Sequence, residues 1–153
     1  ICYYGWHKDE NERSLSTSGA AFIAISEMCK KKGFTHFYGA AYDSNLCVKH
    51  IDTFEFENPE MLRGSKYTQS DIGDTYSAVK QNLKKGEKVL FSGTPCQVDG
   101  LKRYLGNWET RTYFWLRWYA TVFPARKRLQ NICKRSGVIT IRKLSVFDSE
   151  TKK

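Results

Sequence analysis

Three short stretches carry side chains of the kinds that hold phosphates and planar rings. They are Ser-Gly-Thr-Pro-Cys-Gln at 92–97, Leu-Ser-Thr-Ser-Gly-Ala at 15–20 and Arg-Gly-Ser-Lys-Tyr-Thr-Gln-Ser at 63–70. In the first, an apolar run ends, Gly93 permits a tight turn, Thr94 can cap and Pro95 suits the first helical position. A helix start of this kind exposes unpaired amides and partial positive charge, which attract anions. Cys96 falls in that first turn, where a thiolate is favoured. The same six residues also describe a well-capped helix with a small buried cysteine and no ligand at all.

The other two stretches pose the same choice. Ser16, Thr17, Ser18 and Gly19 precede an apolar run at helical spacing, so they can cradle a phosphate or simply cap a helix. In 63–70, Arg63 and Lys66 suit phosphate, Tyr67 suits stacking, and Gln69 suits the edge of a heterocycle. A solvated loop would have the same composition. All three stretches lie at ends of strands or helices, where ligands of α/β folds gather. A phosphorylated planar ligand such as a flavin dinucleotide would use all three.

The elements that must position them alternate. Cys2–Trp6 reads as a short aromatic strand, followed by a polar loop, with Ser16 or Ser18 as cap of the next helix. That helix, near 18–32, places Ala21, Phe22, Ile25 and Met28 on one face and stops at Gly33. Two strands joined by an Asp-Ser-Asn turn come next, and then a short helix with Asn58 as cap and Pro59 in its first turn. A helix near 74–85 turns Tyr76, Val79 and Leu83 inward and ends at Gly86. A buried-type strand, Lys88–Ser92, leads into a helix near 95–104. This order predicts an α/β fold: a mixed sheet with flanking helices, forming an incomplete domain over 1–107. Residues 108–153 read as an irregular basic tail, in which only the stretch 137–147 has strand character.

Charge follows the same division. Residues 1–107 hold 14 Lys and Arg against 13 Asp and Glu, whereas 108–153 hold 11 against 3. Of the net charge of +9, +8 therefore belongs to the tail, and the body is an ordinary near-neutral domain. No run approaches the roughly 18 apolar residues of a membrane span. The five cysteines, Cys2, Cys29, Cys47, Cys96 and Cys133, include no C-x-x-C pair, so the sequence encodes neither an iron–sulfur cluster nor a structural zinc site. Reduced thiols and a cytoplasmic location are the expectation. His7, His36 and His50 show no ligand spacing and read as structural or surface residues. The chain starts at Ile1 without Met, and the expectation is that its true start lies upstream.

Four stretches, 3–22, 38–51, 62–83 and 86–105, occur in an order that resembles the C-terminal domain of the coenzyme F420 hydrogenase/dehydrogenase beta-subunit family. RGSKYTQS and FSGTPCQ are the most specific of the matching motifs. The resemblance implies a non-covalent FAD and electron transfer between iron–sulfur clusters and a soluble acceptor, coenzyme F420 or similar. It also implies that Ser16, Thr17, Ser18, Gly19, Lys66, Tyr67, Gln69, Gly93, Thr94, Cys96 and Gln97 border the flavin. The 4Fe-4S clusters would sit only in an upstream segment, on this chain or an iron–sulfur partner. The sequence departs from the family at one point: Ala20 stands where a second glycine is usual.

After residue 106 the family continues with a segment like NLFLVDLVCHGVPSP, which is absent here. The genetic code recovers it from the neighbouring frame. New codons can be built from the third base of each codon and the first two of the next. Trp118–Tyr119 then forces Val, and the following junctions permit Cys-His-Gly-Val-Pro-Ser-Pro. Thr110–Arg117 permits Glu-Asn-Leu-Phe-Leu-Val-Glu, and Ser145–Lys152 permits a family-like Arg-Phe-Arg-Phe-Arg-Asp-Lys. Residues from about 108 therefore read as a frameshifted tail, and the chain as an inactive fragment of a flavin-dependent oxidoreductase. The alternative is a small basic nucleic-acid-binding protein using the aromatic and arginine-rich tail, which a steep salt dependence of binding would reveal.

Overall fold

The structure, a computed structural model, describes residues 2–16, 19–106, 113–117 and 139–144. Its elements run β1 (Cys2–His7), α1 (Glu10–Ser14), α2 (Ala21–Lys31), β2 (His36–Tyr42), β3 (Val48–Phe54), a 3-10 turn (Pro59–Leu62), α3 (Thr75–Lys84), β4 (Val89–Gly93), α4 (Pro95–Leu105), β5 (Tyr113–Arg117) and β6 (Ile139–Leu144). A four-stranded sheet has the order β3-β2-β4-β5, and β1 pairs separately with β6. The β2–β3 pair is an antiparallel hairpin, while β2–β4 and β4–β5 are parallel. The mixed sheet with flanking helices predicted from the alternation is thus present.

Strand alternation sends side chains to two cores. On one face, Phe37 and Leu90 pack with Ile23, Ala24 and Met28 of α2 and with Leu62. On the other, Tyr38, Val89 and Phe91 pack with Val79 and Leu83 of α3 and Val98 and Leu101 of α4. All five residues of β4 are buried, as a parallel strand covered on both faces requires.

Two glycines end helices as the sequence predicts, and the hydrogen bonds show how. After α2, Gly33 (φ +78) lets its own N–H reach Lys30 O at 2.9 Å and Phe34 N–H reach Cys29 O at 3.0 Å. After α3, Gly86 (φ +83) repeats the pattern, with Gly86 N–H on Leu83 O at 3.0 Å and Glu87 N–H on Asn82 O at 3.1 Å. Both are Schellman closures, which need a left-handed residue at that position.

The structure differs from the sequence reading in three places. The polar loop before α2 contains α1, capped by Asp9, whose carboxylate accepts from Asn11 N–H at 2.8 Å. Neither Ser16 nor Ser18 is the α2 cap; Ala20 occupies that position and offers no side-chain bond. Within the tail described as irregular, 113–117 joins the sheet beside β4 in the register Val89 to Tyr113. The strand expected in 137–147 corresponds to β6, which pairs with β1. The rest of the tail expected to be irregular lies outside the described residues.

Ala20 has φ 53 and ψ 28 and is 6% exposed. A left-handed L-residue costs about 1–2 kcal/mol. Ala20→Gly removes that strain at the cost of roughly 0.4–1 kcal/mol of extra freedom in the unfolded chain. The variant is expected to be neutral to about 1 kcal/mol more stable by urea denaturation. A loss larger than that would show that the Ala20 methyl is needed for packing.

Candidate functional site

The turn from β4 into α4 is built around Gln97. Its side chain is 4% exposed and reaches back so that Oε1 accepts Thr94 N–H at 3.0 Å. This is the reach-back half of a capping box, and it satisfies one of the orphan donors of the helix start. Gly93 is required by close approach: a Cβ there would lie 3.0 Å from Phe91 Cε1 and 3.1 Å from Gln97 Oε1. Pro95 has no N–H, so with Thr94 N–H engaged the turn keeps fewer free amides than its sequence suggests.

The Gln97 amide continues into a buried chain of hydrogen bonds. Its Nε2 donates to Ser70 O at 3.1 Å and to Ser70 Oγ at 3.0 Å. Ser70 Oγ lies 2.7 Å from His50 Nδ1, and His50 Nε2 lies 2.8 Å from Ser92 O. A carbonyl can only accept, so His50 carries its proton on Nε2 and its Nδ1 accepts the Ser70 hydroxyl proton. Every donor therefore points the same way along the chain. Burial pushes the His50 pKa down from its ordinary value, and the bond to Ser92 O opposes this. The imidazole stacks on Phe91 with centroids 5.1 Å apart and planes 17° apart. Sequence reasoning placed His50 among the structural or surface histidines and assigned Ser70 no role. Separations of 20 and 42 residues leave no local pattern to read.

The other predicted residues vary in availability. Cys96 is exposed in the first turn of α4, with Sγ 3.1 Å from Thr94 Oγ1. Nearby, the Tyr76 hydroxyl donates to Gln97 O at 2.7 Å; burial, and secondarily Cys96, pushes its pKa up. Lys66 folds over its own loop, donating to Arg63 O at 2.5 Å and Met61 O at 3.3 Å, and burial pushes its pKa down. Tyr67 is 93% exposed and Gln69 is also exposed. Among the described residues, Ser16 Oγ and Arg63 Nη1 are buried and have no hydrogen-bond partner. Gly19 O accepts His7 N–H at 2.7 Å, and Thr17 and Ser18 lie outside the described residues.

The structure brings the segments 66–70 and 93–97 into direct contact through Ser70 and Gln97. The third segment is tied less directly. An ion pair of 2.6 Å joins Arg63 to Glu12, one helical turn before Ser16. A separate open cavity of about 460 Å³ lies between β3 and the start of α3, lined by His36, Tyr38, His50, Asp52, Asp71 and Asn82 among others. None of the residues singled out from the sequence lines it, and His50 is its one link to the chain just described. His36 there faces Asp52 at 2.6 Å and Glu87 at 2.7 Å through its two ring nitrogens. No group of three or more His, Cys, Asp or Glu that could hold a metal occurs among the described residues. No helix among them is long and apolar enough to cross a membrane.

No protein-family model and no curated protein matches the chain. Among solved structures, a chain of the F420-reducing NiFe hydrogenase complex from Methanosarcina barkeri, studied by xenon derivatisation, is similar with a TM-score of 0.60 at 20% identity. The alignment covers 88% of this chain and 49% of that one, so the chain spans about half the length of the neighbour it matches. Similarity at this identity shows a shared fold.

Proposed function

We propose that the chain is part of a flavin-dependent electron-transfer protein of the coenzyme F420 hydrogenase/dehydrogenase beta-subunit type, with segments 16–19, 66–70 and 93–97 bordering an FAD. The observation that carries this reading is the Ser70–Gln97 contact, which joins two segments that the family resemblance independently assigns to one site. The fold shared with a chain of an F420-reducing hydrogenase complex supports it. Its partners would be a soluble electron acceptor or donor such as coenzyme F420 and an iron–sulfur protein or segment.

When bound, FAD would supply the ring that takes up and returns electrons. The chain's own residues divide into those that can reach a ligand and those that hold the frame. Tyr67 offers an exposed ring face for stacking, and Arg63 Nη1 and Ser16 Oγ are donors with no partner among the described residues. Gln97 and Ser70 are spent on each other and position the turn. Lys66 would have to release two carbonyls to meet a phosphate.

The reading includes an out-of-frame origin for residues from about 108, and β5 is compatible with it. Codons for Tyr, Phe and Trp begin with T. In the neighbouring frame that T becomes the middle base, and codons with a middle T encode Leu, Phe, Ile, Met or Val. An aromatic run such as Tyr113–Trp115 thus encodes an apolar run in either frame, and either can supply a strand beside β4. The gene tests this directly. Tyr119 must be encoded TAT, Ala120 GCC, Thr121 ACG and Val122 GTG for the second frame to read Cys-His-Gly-Val. Other third bases there would remove the motif.

Function is tested by purifying the chain as it stands beside one with the frame restored near residue 107. The restored chain is expected to be yellow and to release FAD on denaturation; the present chain should bind FAD weakly or not at all and reduce neither deazaflavin nor quinone. A colourless restored chain would overturn the flavin reading. Stoichiometric FAD on the present chain would show that the tail is functional.

A further inference from the structure

We propose that the hydrogen-bonded chain Ser92–His50–Ser70–Gln97–Thr94 is a pH-operated latch, which clamps the opening turn of α4 to the 66–70 segment while His50 is neutral and loosens when His50 takes up a proton. The inference goes beyond the flavin reading and stands without it, because the latch consists of this chain's own groups.

The geometry sets what a proton does. With Nε2–H committed to Ser92 O, a second proton can enter only at Nδ1. There it meets the Ser70 hydroxyl, which already points its own proton at Nδ1 across 2.7 Å. The hydroxyl must rotate away. Ser70 Oγ, already accepting from Gln97 Nε2 at 3.0 Å, then accepts from the imidazolium as well, and its displaced proton needs a new acceptor. Of the two bonds that place Gln97, and through it Thr94 N–H, the one to the Ser70 hydroxyl is disturbed, while the one to the Ser70 carbonyl at 3.1 Å does not depend on the hydroxyl. At 4%, 8% and 9% exposure, Gln97, Ser70 and His50 leave little water to take up the displaced hydroxyl proton.

A proton has a route in, since His50 lies in the wall of the open cavity. Other charged and titratable groups face it there. Lys49 and Asp52 come from its own strand, His36 and Tyr38 from β2, and Asp71 and Asp74 from the loop before α3. Lys49 is paired with Asp43 at 2.9 Å, and Asp52 with His36. From β4 the facing groups are the Phe91 ring and the Ser92 carbonyl, and from α4 the neutral Gln97 chain. Burial and the bond to Ser92 O set where His50 titrates, and the direction of the hydrogen bonds decides the consequence.

The sign follows from the depressed pKa of His50. The neutral form is favoured by the fold, so its stabilisation is complete above the unfolded value of about 6.5 and is lost as pH falls through the lower folded value. The experiment is amide hydrogen exchange at Thr94 N–H, followed by NMR in the ligand-free full chain from pH 7.5 to 5, together with the His50 ring shifts. The Thr94 protection factor, corrected for intrinsic exchange, is expected to fall about tenfold for each unit of His50 depression. His50→Gln, which does not titrate, should give a flat profile. Ser70→Ala, which keeps His50 and the Gln97 bond to the residue 70 carbonyl but removes the hydroxyl between them, should lower Thr94 protection and make it independent of His50 titration. Unchanged protection while His50 titrates would overturn the latch, as would the same step surviving in His50→Gln or Ser70→Ala.

Discussion

Phe91→Ala is expected to lower the unfolding free energy by about 3–5 kcal/mol, the range for removing a large buried ring. Phe91 is fully buried at the centre of β4, paired in register with Tyr38 on one side and Trp115 on the other. Its ring fills the space between the sheet and the α3–α4 layer, against Val79, Val98 and Leu101. It also contacts Tyr76 edge-on at 6.1 Å and forms the floor beneath His50. Native domains have only about 5–15 kcal/mol in total, so the variant would keep little margin. The measurement is the urea midpoint at constant slope, at pH 7.5 so that His50 is neutral. Phe91→Leu, which leaves a smaller cavity, should cost clearly less. A Phe91→Ala loss below about 1 kcal/mol would mean that the α3–α4 layer is not held by this ring.

The elements that could be read from the sequence are those with local causes. Gly33 and Gly86 each stop a helix because a Schellman closure needs a left-handed residue one step beyond the cap. Thr94, Pro95 and Gln97 announce α4 within four residues, since the capping interaction is itself local. Where the cause is absent or distant, the reading fails. The helix Glu10–Ser14 buries no residue, so it leaves no apolar period to detect. The strand Tyr113–Arg117 is a run of four apolar residues ending in arginine, too short for its period to separate strand from loop. Ala20 gives no sign in the sequence of its left-handed backbone.

The candidate site divides in the same way. The segments 66–70 and 93–97 were identified from residue type, and the structure shows that they touch. What joins them, however, is Ser70, His50 and the Ser92 carbonyl, none of which the sequence marks as functional. Side-chain type also does not show how Gln97 and Lys66 are engaged within the chain. An amide and an ammonium that suit a ligand are equally suited to backbone carbonyls, and here the carbonyls have them.

Gln97→Ala is the second large effect expected, about 2–4 kcal/mol, because it strands several buried groups at once. Thr94 N–H loses its acceptor, and Ser70 O and Oγ lose their donor. Gln97→Glu separates the polar contribution from simple loss of volume, since the side chains have the same shape. Its carboxylate can still accept Thr94 N–H, but its second oxygen faces the Ser70 carbonyl with no proton to share. Burial and that carbonyl must raise the glutamate pKa in the folded state. A raised acid pKa means the penalty is absent below the unfolded value of about 4.3 and grows as pH rises through the folded one. Gln97→Glu should therefore gain stability, relative to the parent chain, on acidification, whereas the latch at His50 makes the parent itself lose it below about 6.5. Urea midpoints of both proteins between pH 7.5 and 4.5 would test this, and a constant difference across that range would mean that Gln97 does not donate to Ser70 in solution. The 66–70 and 93–97 segments would then lack the contact on which their common site depends.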